Sequence, residues 1–136
     1  MSDSLIHPTA IIAPSANIAE GVVVGPYSVV GANVNIGTGS VLKSHVVIEG
    51  HTSIGENNIF FPFSAIGQVT QDVKYAGEPT ALTIGNHNTF RENTTFHRGT
   101  TQEIPTRNGD NTLSLTYAHV GHDSNRATPR LLPTNL

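Results

Sequence analysis

The chain has no cysteine among its 136 residues. That removes disulfides and thiolate nucleophiles and is compatible with a reducing compartment. Charge is scarce too: 12% of residues are charged, with 7 basic against 10 acidic side chains and a net of -3. No basic stripe is present, so nucleic acid is not an expected partner. A compact monomer usually solvates its surface with more charge, so part of the outer wall is expected to meet another subunit. No stretch approaches the ~18 consecutive apolar residues of a membrane helix. Met1-Ser2-Asp3-Ser4 lacks the basic start and apolar run of a signal peptide. One soluble, cytoplasmic domain without membrane insertion is the expectation.

What is present is a period. Bulky apolar residues recur at every sixth position: Ile6, Ile12, Ile18, Val24, Val30, Ile36, Leu42, Ile48, Ile54, Phe60, Ile66, Ile84, Phe90 and Phe96. Of the 16 multiples of six up to 96, 14 are apolar, where 37% hydrophobic composition would fill about six. A period of six fits neither a helix nor an alternating strand, so the unit must be a short strand plus a corner. Gly follows the bulky residue at 25, 31, 37, 55, 67 and 85, as a sharp corner would favour. Four positions after the bulky residue the side chain is usually small or β-branched, as at Ala10, Ala16, Val22, Ser28, Ser40 and Ser64. Four steps along a strand return to the same face, so large and small groups share one narrow interior.

Three hexads close a triangular coil, and coils stack at roughly 4.8 Å. The expected fold is all-β, a three-sided parallel β-helix of hexapeptide repeats over residues 1–123. Residues 124–136 form an expected irregular tail, with no Gly and no hexad.

Two interruptions predict external loops, near 67–83 and 98–107. In the first, Asp72 and Glu78 fill slots that should be apolar; the second follows His97-Arg98-Gly99-Thr100. Excursions from a solenoid wall often carry binding groups. The phase returns weakly, with Asn108 and Ser114 in apolar slots, and recovers at Val120. Unpaired polar groups there would cost roughly 1–3 kcal/mol each, which predicts a weakened last coil.

Ala118-His119-Val120-Gly121-His122-Asp123 is the densest cluster of functional groups. An imidazole accepts a proton near neutral pH, and an adjacent carboxylate can orient it. A base of this kind, removing a proton from a sugar hydroxyl, typically contributes ~10²–10⁴ in rate. On the motif alone, surface histidines without a role and half of a metal site remain open readings.

Three separated segments then carry a resemblance. Gln71-Asp72-Val73-Lys74-Tyr75-Ala76-Gly77-Glu78-Pro79, His97-Arg98-Gly99-Thr100 and Ala118-His119-Val120-Gly121-His122-Asp123 resemble the acyl-carrier-protein–UDP-N-acetylglucosamine O-acyltransferase family. Leu5-Ile6-His7-Pro8-Thr9-Ala10 and Leu42-Lys43-Ser44-His45-Val46-Val47 support it. The resemblance implies a left-handed β-helix and a cytoplasmic homotrimer with active sites in clefts between subunits. It implies transfer of an (R)-3-hydroxyacyl group from acyl carrier protein to the 3-hydroxyl of UDP-N-acetylglucosamine, opening lipid A synthesis. No metal or diffusible cofactor is implied, because phosphopantetheine arrives on the carrier protein. By position, His122 would be the general base with Asp123 beside it. Gln71, Asp72, Lys74, His97 and His119 would bind substrate.

The family runs to about twice this length, so truncation is expected here, with the tail as an out-of-frame ending. The oxyanion donor and acyl-length gauge would lie in the missing half. Unfinished strand edges would also predict low solubility or poor trimer formation. The rival expectation is a catalytically silent β-helical fragment that at most associates with other subunits.

Overall fold

The computed structural model describes residues 5–69, 80–99 and 106–121, together with the backbone of 125–126 and 130–132. It contains three parallel sheets, one per side of a triangular prism. The first sheet stacks β1 (Leu5–Ile6), β4 (Val23–Val24), β7 (Val41–Leu42), β10 (Ile59–Phe60), β13 (Thr89–Phe90), β16 (Thr112–Ser114) and β19 (Arg130–Leu132). The second stacks β2 (Ile11–Ile12), β5 (Val29–Val30), β8 (Val47–Ile48), β11 (Ala65–Gln68), β14 (Thr95–His97) and β17 (His119–Val120). The third stacks β3 (Asn17–Ile18), β6 (Val34–Ile36), β9 (His51–Ile54), β12 (Ala81–Ile84), β15 (Thr106–Asn108) and β18 (Asn125–Arg126). Each strand pairs with the one three elements later, which is what three hexads per coil require.

The interior is the sixth-residue column. Val24, Val30, Ile36, Leu42, Ile48, Ile54, Phe60, Ile66, Ile84, Phe90, Phe96 and Val120 are all buried. Phe60 stacks on Phe90 at 4.7 Å, and Phe90 meets Phe96 edge-on at 5.1 Å. Such pairs add about 0.5–1.5 kcal/mol beyond the area they bury. The phase survives both interruptions because each inserted length is a multiple of six: Ile54 pairs with Ile84, and Ile84 with Asn108.

Several expectations need correction. The loops are shorter than 67–83 and 98–107, since Gly67 and Gln68 belong to β11, Ala81–Ile84 to β12, and Thr106–Asn108 to β15. Apart from Gly67, at φ +80, the hexad glycines do not supply the corner conformation. Tyr27, His45, Asn57, Phe63, His87, Asn93, Asn111 and Tyr117 hold the positive φ angles instead. What Gly25, Gly37, Gly55 and Gly85 provide is room: a Cβ at Gly25 would lie 2.6 Å from the Lys43 carbonyl oxygen, and one at Gly37 2.6 Å from Gly55.

Nor is the stretch from 124 wholly irregular. The backbone of Asn125–Arg126 pairs with Arg107 and Asn108, and that of Arg130–Leu132 with Thr112–Ser114. An open parallel edge offers a row of unpaired amides and carbonyls, and it templates a following strand with little regard to side chain.

The polar slots in the lumen are mostly satisfied by a ladder. Ser40 Oγ accepts from the Asn58 amide, Asn58 Oδ1 from the Asn88 amide at 2.9 Å, and Asn88 Oδ1 from the Thr112 amide at 2.8 Å. Asn108 donates through Nδ2 to Thr112 Oγ1 at 3.0 Å, while its buried Oδ1 has no partner. The expected penalty therefore falls on one atom of Asn108, not on every polar group of that coil.

Candidate active site

The site is built at the C-terminal end of the second sheet. Thr95 and His119 are register partners on β14 and β17. Parallel pairing thus sets their side chains side by side on the outer face. Thr95 Oγ1 and His119 Nδ1 share a hydrogen bond of 2.6 Å. That bond fixes the ring and leaves Nε2 as the nitrogen free to face a ligand.

His97 is buried, at 8% exposure, and its ring meets that of His119 edge-on at 4.7 Å. On its other side His97 is in register with Gln68 across a bulge at Gly67. Gly67 has φ +80, and a Cβ there would collide with Glu49 O and Thr52 Oγ1. The bulge consequently needs glycine, and it bends the strand at this point. The Arg98 amide donates to Gln68 O at 2.9 Å, tying the ends of β11 and β14 together.

His97 and His119, singled out from the sequence, are thus brought together as a pair. Gln71, Asp72 and Lys74 lie outside the described residues, and so do His122 and Asp123. Their chain neighbours are described: Val69 follows Gln68 on one side of the site, and Gly121 follows Val120 on the other. Sequence reasoning missed Thr95, because only the pairing register sets it under His119. It also passed over Gly50 and Arg98. Arg98 stood in plain view beside His97.

The repeat and the fold are shared with known proteins. The family signature "Bacterial transferase hexapeptide (six repeats)" matches residues 15–50. A curated relative from Ectopseudomonas mendocina, named acyl-[acyl-carrier-protein]–UDP-N-acetylglucosamine O-acyltransferase, is 64% identical over 122 residues, covering 89% of this chain and 47% of its own. One of the same name from Pseudomonas putida is 62% identical over 120 residues, covering 88% and 46%. Among solved structures, the UDP-N-acetylglucosamine O-acyltransferase of Moraxella catarrhalis superposes with a TM-score of 0.84 at 49% identity, covering 89% of this chain and 48% of that one. The chain spans about half the length of the curated relatives it matches. With its left-handed parallel β-helix, its hexapeptide signature and its identity to these relatives, the chain belongs to their hexapeptide-repeat family.

Proposed function

We propose that the chain acts in O-acyl transfer, moving an (R)-3-hydroxyacyl group from acyl carrier protein to the 3-hydroxyl of UDP-N-acetylglucosamine in the cytoplasm. The observation that carries this reading is the His97–His119 pair, held at 4.7 Å, with His119 two residues before Gly121-His122-Asp123, in a chain 62–64% identical to relatives bearing that name. His122 is the general base on the sugar hydroxyl and Asp123 orients it. Gln71, Asp72 and Lys74, on the segment after Val69, reach the nucleotide sugar and the acyl group. His119 and His97 complete the substrate side. The residues need no metal for this step, since proton removal and attack on a thioester require only a base and oriented donors.

A homotrimer belongs to the same reading, and the outer faces support it. Outward positions on the first sheet are Leu5, Val23, Val41, Ile59, Thr89 and Leu113, apolar at all but Thr89; on the second they begin Ile11, Val29, Val47 and Ala65. Those two faces share the corner that carries Tyr27, His45, Phe63 and Tyr117. The third sheet instead points Asn17, Asn35, Ser53, Thr83 and Arg107 outward, all exposed. Cyclic symmetry requires two different patches that fit each other, and two apolar faces meeting at one corner meet that need.

The second reading is a β-helix that only associates with other subunits and transfers nothing. Mass spectrometry of UDP-N-acetylglucosamine incubated with 3-hydroxyacyl carrier protein separates the two. Acylated sugar nucleotide supports transfer; an unchanged donor with a trimeric chain supports the silent reading.

A further inference from the structure

Resting on that reading, we propose that Arg98 is an anion-binding residue of this site, seated by Gly50 to receive a phosphate oxygen of an incoming substrate. Arg98 follows the buried His97, and its amide is fixed to Gln68 O at 2.9 Å. From there the side chain runs back along the corner between the second and third sheets, crossing the coil of Gly67 to reach that of Gly50. A Cβ at Gly50 would collide with Arg98 Cδ and lie 2.6 Å from Nε and 2.8 Å from Gly67 O. Gly50 also has φ +69, so both its backbone and its bare surface favour glycine. The missing side chain at Gly50 thus leaves the space that Arg98 Cδ and Nε occupy.

The electrostatics of this seat are unbalanced. Arg98 Nε is buried and lacks a hydrogen-bond partner. The Arg91–Glu92 contact is the ion pair found among the described residues, and Arg98 joins none there. Glu49 lies on the same corner and is exposed, but no ion pair forms between them. A guanidinium always carries its charge and offers five donors in a planar fork. Burying such a donor without an acceptor is costly, so a site that keeps one there is arranged for an acceptor that arrives from outside. Arginine forks match phosphate oxygens in particular.

Two phosphates approach in the proposed reaction: the diphosphate of the sugar nucleotide and the phosphodiester of the pantetheine arm. The shared chemistry is a phosphate oxygen. The alternative is that Arg98 packs its aliphatic stem over the glycines and binds nothing.

Calorimetric titration of the full chain with UDP-N-acetylglucosamine, inorganic pyrophosphate and pantetheine 4′-phosphate decides between them. Arg98→Met keeps the stem and removes the charge. Its affinity is expected to fall about ten- to a hundred-fold for whichever phosphate ligand sits at Arg98, with Arg98→Lys falling less and the melting temperature nearly unmoved. Loss for UDP-N-acetylglucosamine alone assigns the diphosphate; loss for the pantetheine compound alone assigns the carrier arm. Unchanged affinities in Arg98→Met, or no binding of any of the three by wild type, overturn the inference. Wild type that binds pyrophosphate through Arg98 but ignores UDP-N-acetylglucosamine would leave the anion seat standing and sink the sugar-nucleotide reading instead.

Discussion

At the scale of single residues, the corners are where side-chain identity matters most. Gly67 combines φ +80 with a space closed by Glu49 O and Thr52 Oγ1. Gly67→Ala is expected to destabilise the fold by about 2–4 kcal/mol, since strain and collision add; urea denaturation reads this directly. A cost below 0.5 kcal/mol would mean that the bulge relaxes freely. Tyr27, His45 and Phe63, in contrast, hold positive φ without being glycine. Their rings meet at 5.3 and 5.1 Å, and this contact offsets part of the backbone strain. The sequence marked the corners, but it could not reveal that the hexad glycines serve coil-to-coil approach, because that depends on which carbonyl lies above each one.

The exposed Arg91–Glu92 pair at 2.9 Å gives a pH signature. The hydrogen bond from Arg91 holds the Glu92 carboxyl below its ordinary value, and the same bond raises Arg91. With a lowered folded value, Glu92 contributes fully above its unfolded pKa, near 4.3. The contribution fades as pH falls through the folded value. Melting curves of wild type and Glu92→Gln are therefore expected to differ slightly at pH 7 and to converge below about pH 4. Divergence on acidification would show the sign to be wrong. The effect is small because both side chains are exposed.

Among elements, the strands owe their register to two interior columns, one bulky and one small or polar. The bulky column was legible throughout, because each insertion is a multiple of six. The penalty expected at Asn108, a member of that bulky column, was misjudged, because its Nδ2 donates to Thr112 Oγ1 in the small, polar ladder. Asn88 is the centre of that ladder: it accepts from the Thr112 amide and hydroxyl and donates to Gly109 O at 2.8 Å. Asn88→Ala strands these buried groups and is expected to cost about 2–4 kcal/mol. Guanidinium denaturation monitoring the loss of strand signal would measure it. A near-neutral result would mean that water replaces the amide. Phe90→Ala should cost about 3–5 kcal/mol by leaving a cavity between Phe60 and Phe96.

For the whole molecule, the contrast between two apolar faces and one polar face predicts where subunits meet. Val41→Glu or Val47→Glu is expected to abolish trimers in multi-angle light scattering, whereas Ser53→Lys on the third sheet leaves them intact. The reverse pattern would move the interface to the polar side. Prism, repeat and family were legible from spacing and motifs. The site was legible only in part. His97 and His119 stood out as chemistry-bearing residues, while Thr95 and the Gly50–Arg98 seat depend on register between coils.

The central claim is that His122 removes the proton from the accepting sugar hydroxyl. The decisive measurement is the single-turnover rate of acyl transfer as a function of pH, for wild type and His122→Ala. The account predicts a wild-type rate that rises with pH through the imidazole range. It also predicts a loss of ~10²–10⁴ in the variant, with that rise gone. Equal rates and the same pH profile in both proteins would contradict it.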